Sequence, residues 1–343
     1  MRVCSQDERY WFRTRPFKPA LVRWEFQMHR GILILVAVGL AVVALVPASG
    51  TALSARAPKC FGRQATLTGS GEILGTEGPD VIVGSDGPDT IVGFGGDDLL
   101  CGLGGNDRLR GGLGDDRLDG GEGDDVMNGD VFADQFPGSD QRGGDDVLIG
   151  GPGNDRMSGD HLSIFGGDVS GDGGDDLFIG GDGNDSVIGD NAAFFGTVSG
   201  KGGDDIILLG DGADVAVGDH NAIHNVGDAG DDVIDAGDGD DFVIGDSSWG
   251  EESSANTFEG RAGDDTIRGG QGNDLLIGDH NPFEGTISAP GGDDSLHGGA
   301  GDDGLFGDHR ADNGAVSGDG DDVCHGGPGT DTAALCEVVQ GVP

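Results

Sequence analysis

Residues 75–128 consist of six consecutive nine-residue units, which read GTEGPDVIV, GSDGPDTIV, GFGGDDLLC, GLGGNDRLR, GGLGDDRLD and GGEGDDVMN. Every unit has Gly at positions one and four, Asp at position six and an aliphatic residue or Met at position eight. Chance does not produce six consecutive matches. A fixed period of this kind predicts a stack of identical turns rather than an ordinary globular fold.

The glycines allow the positive φ angles that a tight turn requires. Six residues of turn then lead into three residues of strand, in which side chains alternate between the two faces. Position eight therefore faces the interior and positions seven and nine face water. The predicted inward residues are Ile82, Ile91, Leu100, Leu109, Leu118 and Met127.

The aspartates at position six would stack one above another, so their charges would repel each other. In this stretch they are Asp80, Asp89, Asp98, Asp107, Asp116 and Asp125. A hard divalent cation relieves the repulsion, because calcium accepts six to eight oxygen ligands from carboxylates and backbone carbonyls.

These units resemble the RTX, or hemolysin-type, calcium-binding repeats. The resemblance implies an all-β fold, a parallel β-roll stacked by several Ca²⁺ ions that are held between neighbouring turns by turn carbonyls and the position-six Asp. The alternative is a disordered acidic segment, which low hydrophobicity and high charge favour when calcium is absent.

Composition points to cations as partners. The chain has 343 residues, of which 73 are Gly, and a formal net charge of −44. Residues 58–343 hold 11 basic and 60 acidic residues, so binding to nucleic acid through Lys and Arg is excluded.

One buried aliphatic side chain per unit contributes about 2 kcal/mol, whereas ordering nine residues costs on the order of 10 kcal/mol. Metal binding and folding are therefore expected to be one coupled event.

Residues 1–57 are predicted to be an export signal region with an apolar segment at residues 31–46, too short for a typical spanning helix. Met28 is a candidate translation start in place of Met1. The alternative is an uncleaved N-terminal anchor. With cleavage, we expect a secreted, extracellular protein without a stable membrane span, either free or associated with the cell surface.

Residues 58–74 are interpreted as an N-terminal cap and residues 335–343 as a C-terminal cap, since a solenoid must cover its open ends. Leu335, Val338 and Val339 are expected to cover the last layer. The segment Cys60–Thr66 and the ending DVCHGGPGTDTAALCE also resemble a family of Sec-exported proteins that consist of such repeats.

Residues 129–334 continue the array as compound units of about 30 residues, each with a GDDxUx strand, a full nine-residue unit and a variable segment (U, apolar). The position-six residues, predicted as further metal ligands, are Asp146, Asp155, Asp176, Asp185, Asp205, Asp214, Asp232, Asp241, Asp265, Asp274, Asp294, Asp303, Asp322 and Asp331.

The variable segment either bulges as a loop from a single turn or contains a degenerate turn with its own strand, and we favour the second. In a roll whose turns alternate between two sheets, three strands per unit would send successive loops to opposite sides. The apolar residues that recur near the end of these segments are Val169, Val198, Val226, Phe258, Ile287 and Val316.

Four cysteines follow the signal region. An even number in an exported chain, with one pair near each end, favours the disulfides Cys60–Cys101 and Cys324–Cys336. Reduced buried thiols are the alternative, and Cys324 falls at a position eight.

Four histidines each follow a Gly-Asp pair: His161, His220, His280 and His309. They invite a transition-metal interpretation. Because they lie far apart and mostly lack partner ligands at helix or hairpin spacing, a hydrogen bond from the loop to a neighbouring turn is favoured. The preceding Asp160, Asp219, Asp279 and Asp308 orient the loop or add a calcium oxygen, and the pattern does not decide between these roles.

No catalytic motif is present, neither G-x-S-x-G nor H-E-x-x-H nor a phosphate loop. The expected function is an exported, non-enzymatic calcium-binding protein that folds on extracellular Ca²⁺, with a structural or interaction role at the cell surface or matrix. Two alternatives stay open: a module whose toxin or enzyme partner is encoded elsewhere, and a simple calcium sink. Protein or surface partners are not indicated.

Overall fold

Short parallel strands, stacked one coil above the next, make up the repeat region in the computed structural model. The structure describes residues 57–130, 142–163, 168–249, 256–282, 285–287, 290–308 and 320–342, all within the compact unit Ala55–Pro343. The predicted export signal, residue 57 apart, lies outside these ranges. Across the described ranges the structure has no helix, and so none that is long and apolar enough to cross a membrane.

The strands follow the repeat. Residues 57–74 form β1 (Lys59–Cys60), β2 (Arg63–Gln64), β3 (Leu67–Thr68) and β4 (Glu72–Leu74). The six uninterrupted units form β5 (Val81–Val83), β6 (Thr90–Gly95), β7 (Leu99–Gly104), β8 (Arg108–Leu113), β9 (Arg117–Glu122) and β10 (Val126–Asn128).

The compound units continue the series. The strands up to Val217 are β11 (Val147–Pro152), β12 (Arg156–Ser158), β13 (Leu162–Ser163), β14 (Leu177–Asp182), β15 (Ser186–Ile188), β16 (Ala192–Val198), β17 (Ile206–Asp211) and β18 (Val215–Val217). Those up to Phe306 are β19 (Asn221–Asn225), β20 (Val233–Asp238), β21 (Phe242–Ile244), β22 (Ser248–Trp249), β23 (Asn256–Phe258), β24 (Thr266–Gln271), β25 (Leu275–Ile277), β26 (Asn281–Pro282), β27 (Gly285–Ile287), β28 (Ser295–Ala300) and β29 (Gly304–Phe306). The C-terminal strands are β30 (Val323–His325), β31 (Thr332–Ala334) and β32 (Val338–Gln340).

These strands form three parallel sheets within the described residues. Sheet 1 has the order β3-β5-β7-β9-β11-β14-β17-β20-β24-β28-β30-β32, and sheet 2 has the order β4-β6-β8-β10-β12-β15-β18-β21-β25-β29-β31. Successive units between residues 75 and 128 alternate between the two sheets, so two units complete one coil. This is the parallel β-roll that the repeat pattern predicts.

The position-eight side chains fill the narrow space between sheets 1 and 2, as predicted. Leu100, Leu118 and Phe178 are fully buried, and the same apolar cluster runs from Ile73 to Cys324. Of the two alanines at this position in the described compound units, Ala216 is also fully buried and Ala333 is partly buried. The parallel register explains the continuity, because Met127 lies opposite Met157 and Leu148 lies opposite Phe178.

The variable segments contain strands of their own, which form sheet 3 from β13, β16, β19, β22 and β26, with β23 and β27 branching from β19. The expectation that successive loops would fall on opposite sides is wrong. Each GDDxUx strand of a compound unit lies in sheet 1 and each full-unit strand in sheet 2, so one compound unit completes one coil. All variable segments therefore lie on the same side.

Sheet 3 has a small apolar interior that includes the fully buried Val169, Ala193, Val198 and Ala222. Val169 forms a parallel bridge to Val198. Val226 continues this row through a backbone hydrogen bond to the carbonyl of Val198, although its side chain is 41% exposed. Val316 and His309 lie outside the described residues.

The N-terminal cap covers a face as well as an end of the roll. Strands β3 and β4 extend sheets 1 and 2, and the antiparallel pair β1–β2 packs on the outer face of sheet 1. Val81, Val83 and Leu99 are buried there, although their positions seven and nine were expected to face water. A disulfide joins Cys60 to Cys101 and fixes the pair to that face.

At the other end, β32 pairs with β30 and extends sheet 1, and a disulfide joins Cys324 to Cys336. The expected apolar cover is not formed by Val338 and Val339, whose side chains are 44% and 47% exposed. The C-terminal cap therefore pairs backbone groups rather than burying apolar surface. Both disulfides are the ones that the cysteine spacing favours.

Candidate metal centre

The position-six aspartates form two continuous ladders, one at each turn edge of the roll. In each ladder the backbone N–H of one Asp donates to Oδ1 of the Asp in the next coil, as from Asp98 to Asp116 at 2.7 Å. The first ladder contains Asp80, Asp98, Asp116, Asp146, Asp176, Asp205, Asp232, Asp265, Asp294 and Asp322. The second contains Asp89, Asp107, Asp125, Asp155, Asp185, Asp214, Asp241, Asp274, Asp303 and Asp331.

Sequence reasoning missed how the first ladder ends. The N–H of Asp322 donates to Oε2 of Glu337 at 2.9 Å, so a glutamate in the C-terminal segment takes the place of the next Asp. Glu337 is visible in the sequence directly after Cys336, but a single Glu outside the nine-residue period does not indicate which Asp it contacts.

The second carboxylate oxygen, Oδ2, has a different environment. In every position-six Asp from Asp98 to Asp331 it is buried without a hydrogen-bond partner among the described residues. Burying an ionised carboxylate oxygen without a partner is costly, and here the cost recurs in each coil of both ladders. Something other than protein must neutralise these oxygens.

Asp80 and Asp89, the first residues of the two ladders, differ from the rest. Oδ2 of Asp80 accepts hydrogen bonds from the N–H and the hydroxyl of Thr76, both at 2.8 Å. Oδ2 of Asp89 likewise accepts from the N–H of Ser85 at 2.6 Å and from its hydroxyl at 3.0 Å. A hydroxyl side chain at position two thus satisfies the oxygen that later units leave without a partner.

The glycine at position one leaves room for a ligand cluster. A Cβ at Gly111 would lie 2.1 Å from Oδ2 of Asp116 and 2.5 Å from the carbonyl oxygen of Gly129. Carboxylate and carbonyl oxygens therefore converge on a place that any side chain would fill. This combination of oxygens is the type that calcium prefers.

Burial makes these carboxylic acids weak in the absence of a cation. It raises the pKa of Asp98 to about 6 and that of Asp116 to about 8. At Asp116 the hydrogen bond from the Asp98 N–H opposes the effect, and the Asp98 carboxylate adds to it. A bound divalent cation would take the place of the protons that burial otherwise favours.

A third column of carboxylates lies beside the first ladder in the compound region. Its members, the Asp of each Gly-Asp pair, are Asp130, Asp160, Asp190, Asp219, Asp246, Asp279 and Asp308, all buried. Six of them accept a hydrogen bond from the N–H of the Gly that begins the GDD turn, as Asp160 does from Gly174 at 2.9 Å. The column therefore both orients the loop and adds an oxygen to that edge.

The extra carboxylates make the pKa values of the position-six aspartates different at the two edges of the roll. Burial and the charges of Asp160 and Asp146 raise the pKa of Asp176, in the first ladder, well above its usual value. On the other edge, burial raises the pKa of Asp185 only to about 6.

The side chain after the Gly-Asp pair binds the neighbouring turn at Asn191 and His280. The hydrogen bond predicted for the histidines is therefore present at His280, whereas the ring nitrogens of His161 and His220 have no partner among the described residues. Nδ2 of Asn191 donates to the carbonyl of Gly171 at 3.1 Å, and Nε2 of His280 lies 3.4 Å from the carbonyl of Gly260. Both ring nitrogens of His220 are buried, and burial lowers the pKa of His220 to about 4.

Comparison with known families identifies the repeats. The family model described as RTX calcium-binding nonapeptide repeat matches residues 74–109, 102–136, 142–160, 164–193, 196–219, 226–248, 252–279, 286–308 and 316–333. These segments cover more than half of the chain, and the chain therefore belongs to the RTX calcium-binding repeat family. No curated protein matches it significantly.

The residues present fit calcium. Orphaned carboxylate oxygens, inward carbonyls and glycines without side chains occur together at the turns of the ladders from Asp98 onward. The chain is thus a calcium-binding β-roll, and Asp98 and the later position-six residues are the proposed ligands.

Replacing Asp116 by Asn should lower calcium binding, because the change removes one charged ligand from a turn that holds its oxygens out of water. A lost charged contact costs about 1.5–3 kcal/mol, so the local site should weaken about tenfold or more. The matched control is Asp115→Asn, since Asp115 is exposed in the same turn. Calcium titration calorimetry of both variants measures the difference. Equal calcium binding by the two variants would contradict the assignment of Asp116.

The raised pKa values also predict opposite pH responses of the free and loaded protein. A carboxyl with a folded pKa above its unfolded value stabilises the fold below about pH 4, and this contribution is lost as pH rises through 6 to 8. The calcium-free protein should therefore contain more β-structure at pH 4 than at pH 8.

The calcium-loaded protein should lose stability as pH falls, because protons compete with the ion. Circular dichroism of metal-stripped protein and thermal unfolding of loaded protein across this range measure both trends. A calcium-free protein with the same spectrum at pH 4 and pH 8 would show that these carboxyls do not control folding.

Proposed function

We propose that this protein is exported and has no catalytic activity of its own, and that calcium outside the cell folds it into a rigid rod with a structural or interaction role at the cell surface or matrix. The observation that carries the proposal is the pair of buried carboxylate ladders, whose Oδ2 atoms have no protein partner from Asp98 onward.

Several calcium ions are needed in this proposal. Each coil of the described region adds two position-six carboxylates, one to each ladder, so the number of ions grows with the number of coils. Extracellular calcium modules bind with Kd values of about 0.1–1 mM. Sites in that range would be empty inside a cell and filled outside it, which would delay folding until after export.

The two disulfides support export. Cys60–Cys101 and Cys324–Cys336 fix the two ends of the described roll, and disulfides persist in oxidising compartments. They also favour a durable rod over a transient calcium buffer, because they hold the end caps whether or not every ion is bound.

An apolar patch favours an interaction role over a simple calcium sink. On the outer face of sheet 1, Ile206 lies beside Val233, with Leu208 two residues further along β17. Their side chains are 46%, 39% and 40% exposed. A sink needs charge and solubility only, whereas neighbouring exposed apolar side chains are typical of contact surfaces.

The experiment is fractionation of the producing cells in calcium and in chelator. We expect the protein in the surface or matrix fraction with millimolar calcium and its release by chelator. The double variant Ile206→Lys/Val233→Lys should bind calcium normally but shift to the medium, and Val338→Lys, at a comparably exposed residue of β32, is the control. Recovery of all three proteins in the medium at every calcium concentration would favour the sink, and enzymatic activity of the purified protein would favour the module of a toxin or enzyme.

A further inference from the structure

We propose that Asp130, Asp160 and His161 form a binding site for a divalent transition metal of the zinc type, separate from the calcium ladders. The three side chains come from two adjacent coils. The N–H of Asp130 donates to the carbonyl of Gly159 at 2.9 Å, which places the two Gly-Asp corners one above the other.

Geometry is the first support. One ligand atom from each of the three residues lies within 4.8 Å of the other two, and all three side chains are fully buried. Donors that surround one ion at about 2.0–2.2 Å are less than about 4.4 Å apart. Small side-chain rotations therefore bring all three donors onto a single ion.

The unsatisfied polar atoms are the second support. Oδ1 of Asp130, Oδ1 of Asp160 and both ring nitrogens of His161 are buried without a hydrogen-bond partner among the described residues. A direct hydrogen bond between imidazole and carboxylate would satisfy two of these atoms, but the structure does not form one. A cation between them satisfies all three side chains.

The nitrogen donor decides the class of metal. Calcium and magnesium select oxygen ligands, so they would leave the buried imidazole without a role. Imidazole combined with carboxylates suits zinc and its first-row neighbours. Two carboxylates and one imidazole supply three ligands of a tetrahedral shell and leave a fourth position for another oxygen.

Related pairs of Asp and His recur two and four coils later, although among the described residues three donors lie within 4.8 Å of one another only at Asp130, Asp160 and His161. Nδ1 of His280 lies 3.8 Å from Oδ2 of Asp246 in the preceding coil, while Nε2 of His280 faces the carbonyl of Gly260. A metal-binding histidine commonly uses one nitrogen for the ion and the other for a backbone carbonyl. His220 follows Asp219 at the equivalent place, one coil after Asp190.

The coils between them carry Asn191 and Ser247 instead of histidine. Because adjacent corners share one Asp, this alternation gives each site its own pair of carboxylates. The sites cannot be recognised from sequence spacing. The two carboxylates of each site are 29 to 33 residues apart and meet only through the parallel stacking of coils.

The test is cobalt binding to the full chain in saturating calcium. Every variant carries His297→Gln, because the rings of His297 and His325 stack on sheet 1 with centroids 5.5 Å apart, and two neighbouring imidazoles offer cobalt a second set of nitrogen donors. Bound Co²⁺ is counted by elemental analysis after dialysis, and its visible absorption reports nitrogen and oxygen ligands. Zinc should displace it, whereas calcium in large excess should not.

His161→Asn should remove one cobalt equivalent and leave the calcium count unchanged. The double variant His161→Asn/Asn191→His moves the histidine to the next coil, where it can use Asp160 but must share Asp190 with the His220 corner, so it should restore less than that equivalent. Both residue types occur naturally at this position, so both variants should fold, which circular dichroism in calcium verifies.

An unchanged cobalt count in His161→Asn would overturn the proposal. Displacement of cobalt by calcium, or loss of calcium rather than cobalt in Asp160→Asn, would show that the corner is a calcium site and would also overturn it. None of these three results would bear on calcium binding by the ladders, which is measured separately through Asp116.

Discussion

The repulsion between stacked, buried carboxylates is the constraint on which the rest of this structure depends. Parallel coils place the same residue of every repeat at the same point of the cross-section, so one Asp per unit becomes a continuous column of negative charge. The backbone N–H of the preceding coil satisfies one oxygen of each carboxylate. The other oxygen has no partner among the described residues from Asp98 onward, which leaves it open to a cation.

The thin core follows from the same constraint. The turns must hold backbone carbonyls and carboxylates close together, which requires glycine where a Cβ would meet Oδ2 of the Asp, as at Gly111. Only one residue per unit is then left to face the interior. A column of single side chains such as Leu118 and Phe178 is a thin core, so we expect ion binding to contribute a large part of the folding free energy.

The change from two sheets to three alters the chemistry of one edge. The variable segments close each coil through sheet 3 and bring a second buried Asp beside the first ladder. The other edge keeps one carboxylate per coil. The two edges of the compound region therefore present different charge to a cation, although their repeat signatures look alike.

Much of this could be predicted from the sequence. The period of nine predicted the parallel roll, the inward residues and the stacking of the position-six aspartates, because each depends on local geometry that repeats. The side on which the variable segments lie could not be predicted, since it depends on whether a coil closes after two strands or three. The proximity of Asp130 to His161 and the hydrogen bond between Asp322 and Glu337 could not be predicted either, because stacking between coils, rather than spacing along the chain, brings these residues together.

The most direct measurement of the central claim is far-ultraviolet circular dichroism of residues 58–343 at neutral pH during a calcium titration from chelator to millimolar concentrations, with magnesium as control. Coupled folding predicts a disordered spectrum that turns cooperatively into β-structure with calcium and stays unchanged with magnesium. A β-rich spectrum already present in chelator would contradict the account, because it would mean that the caps, the disulfides and the thin core hold the roll without ions.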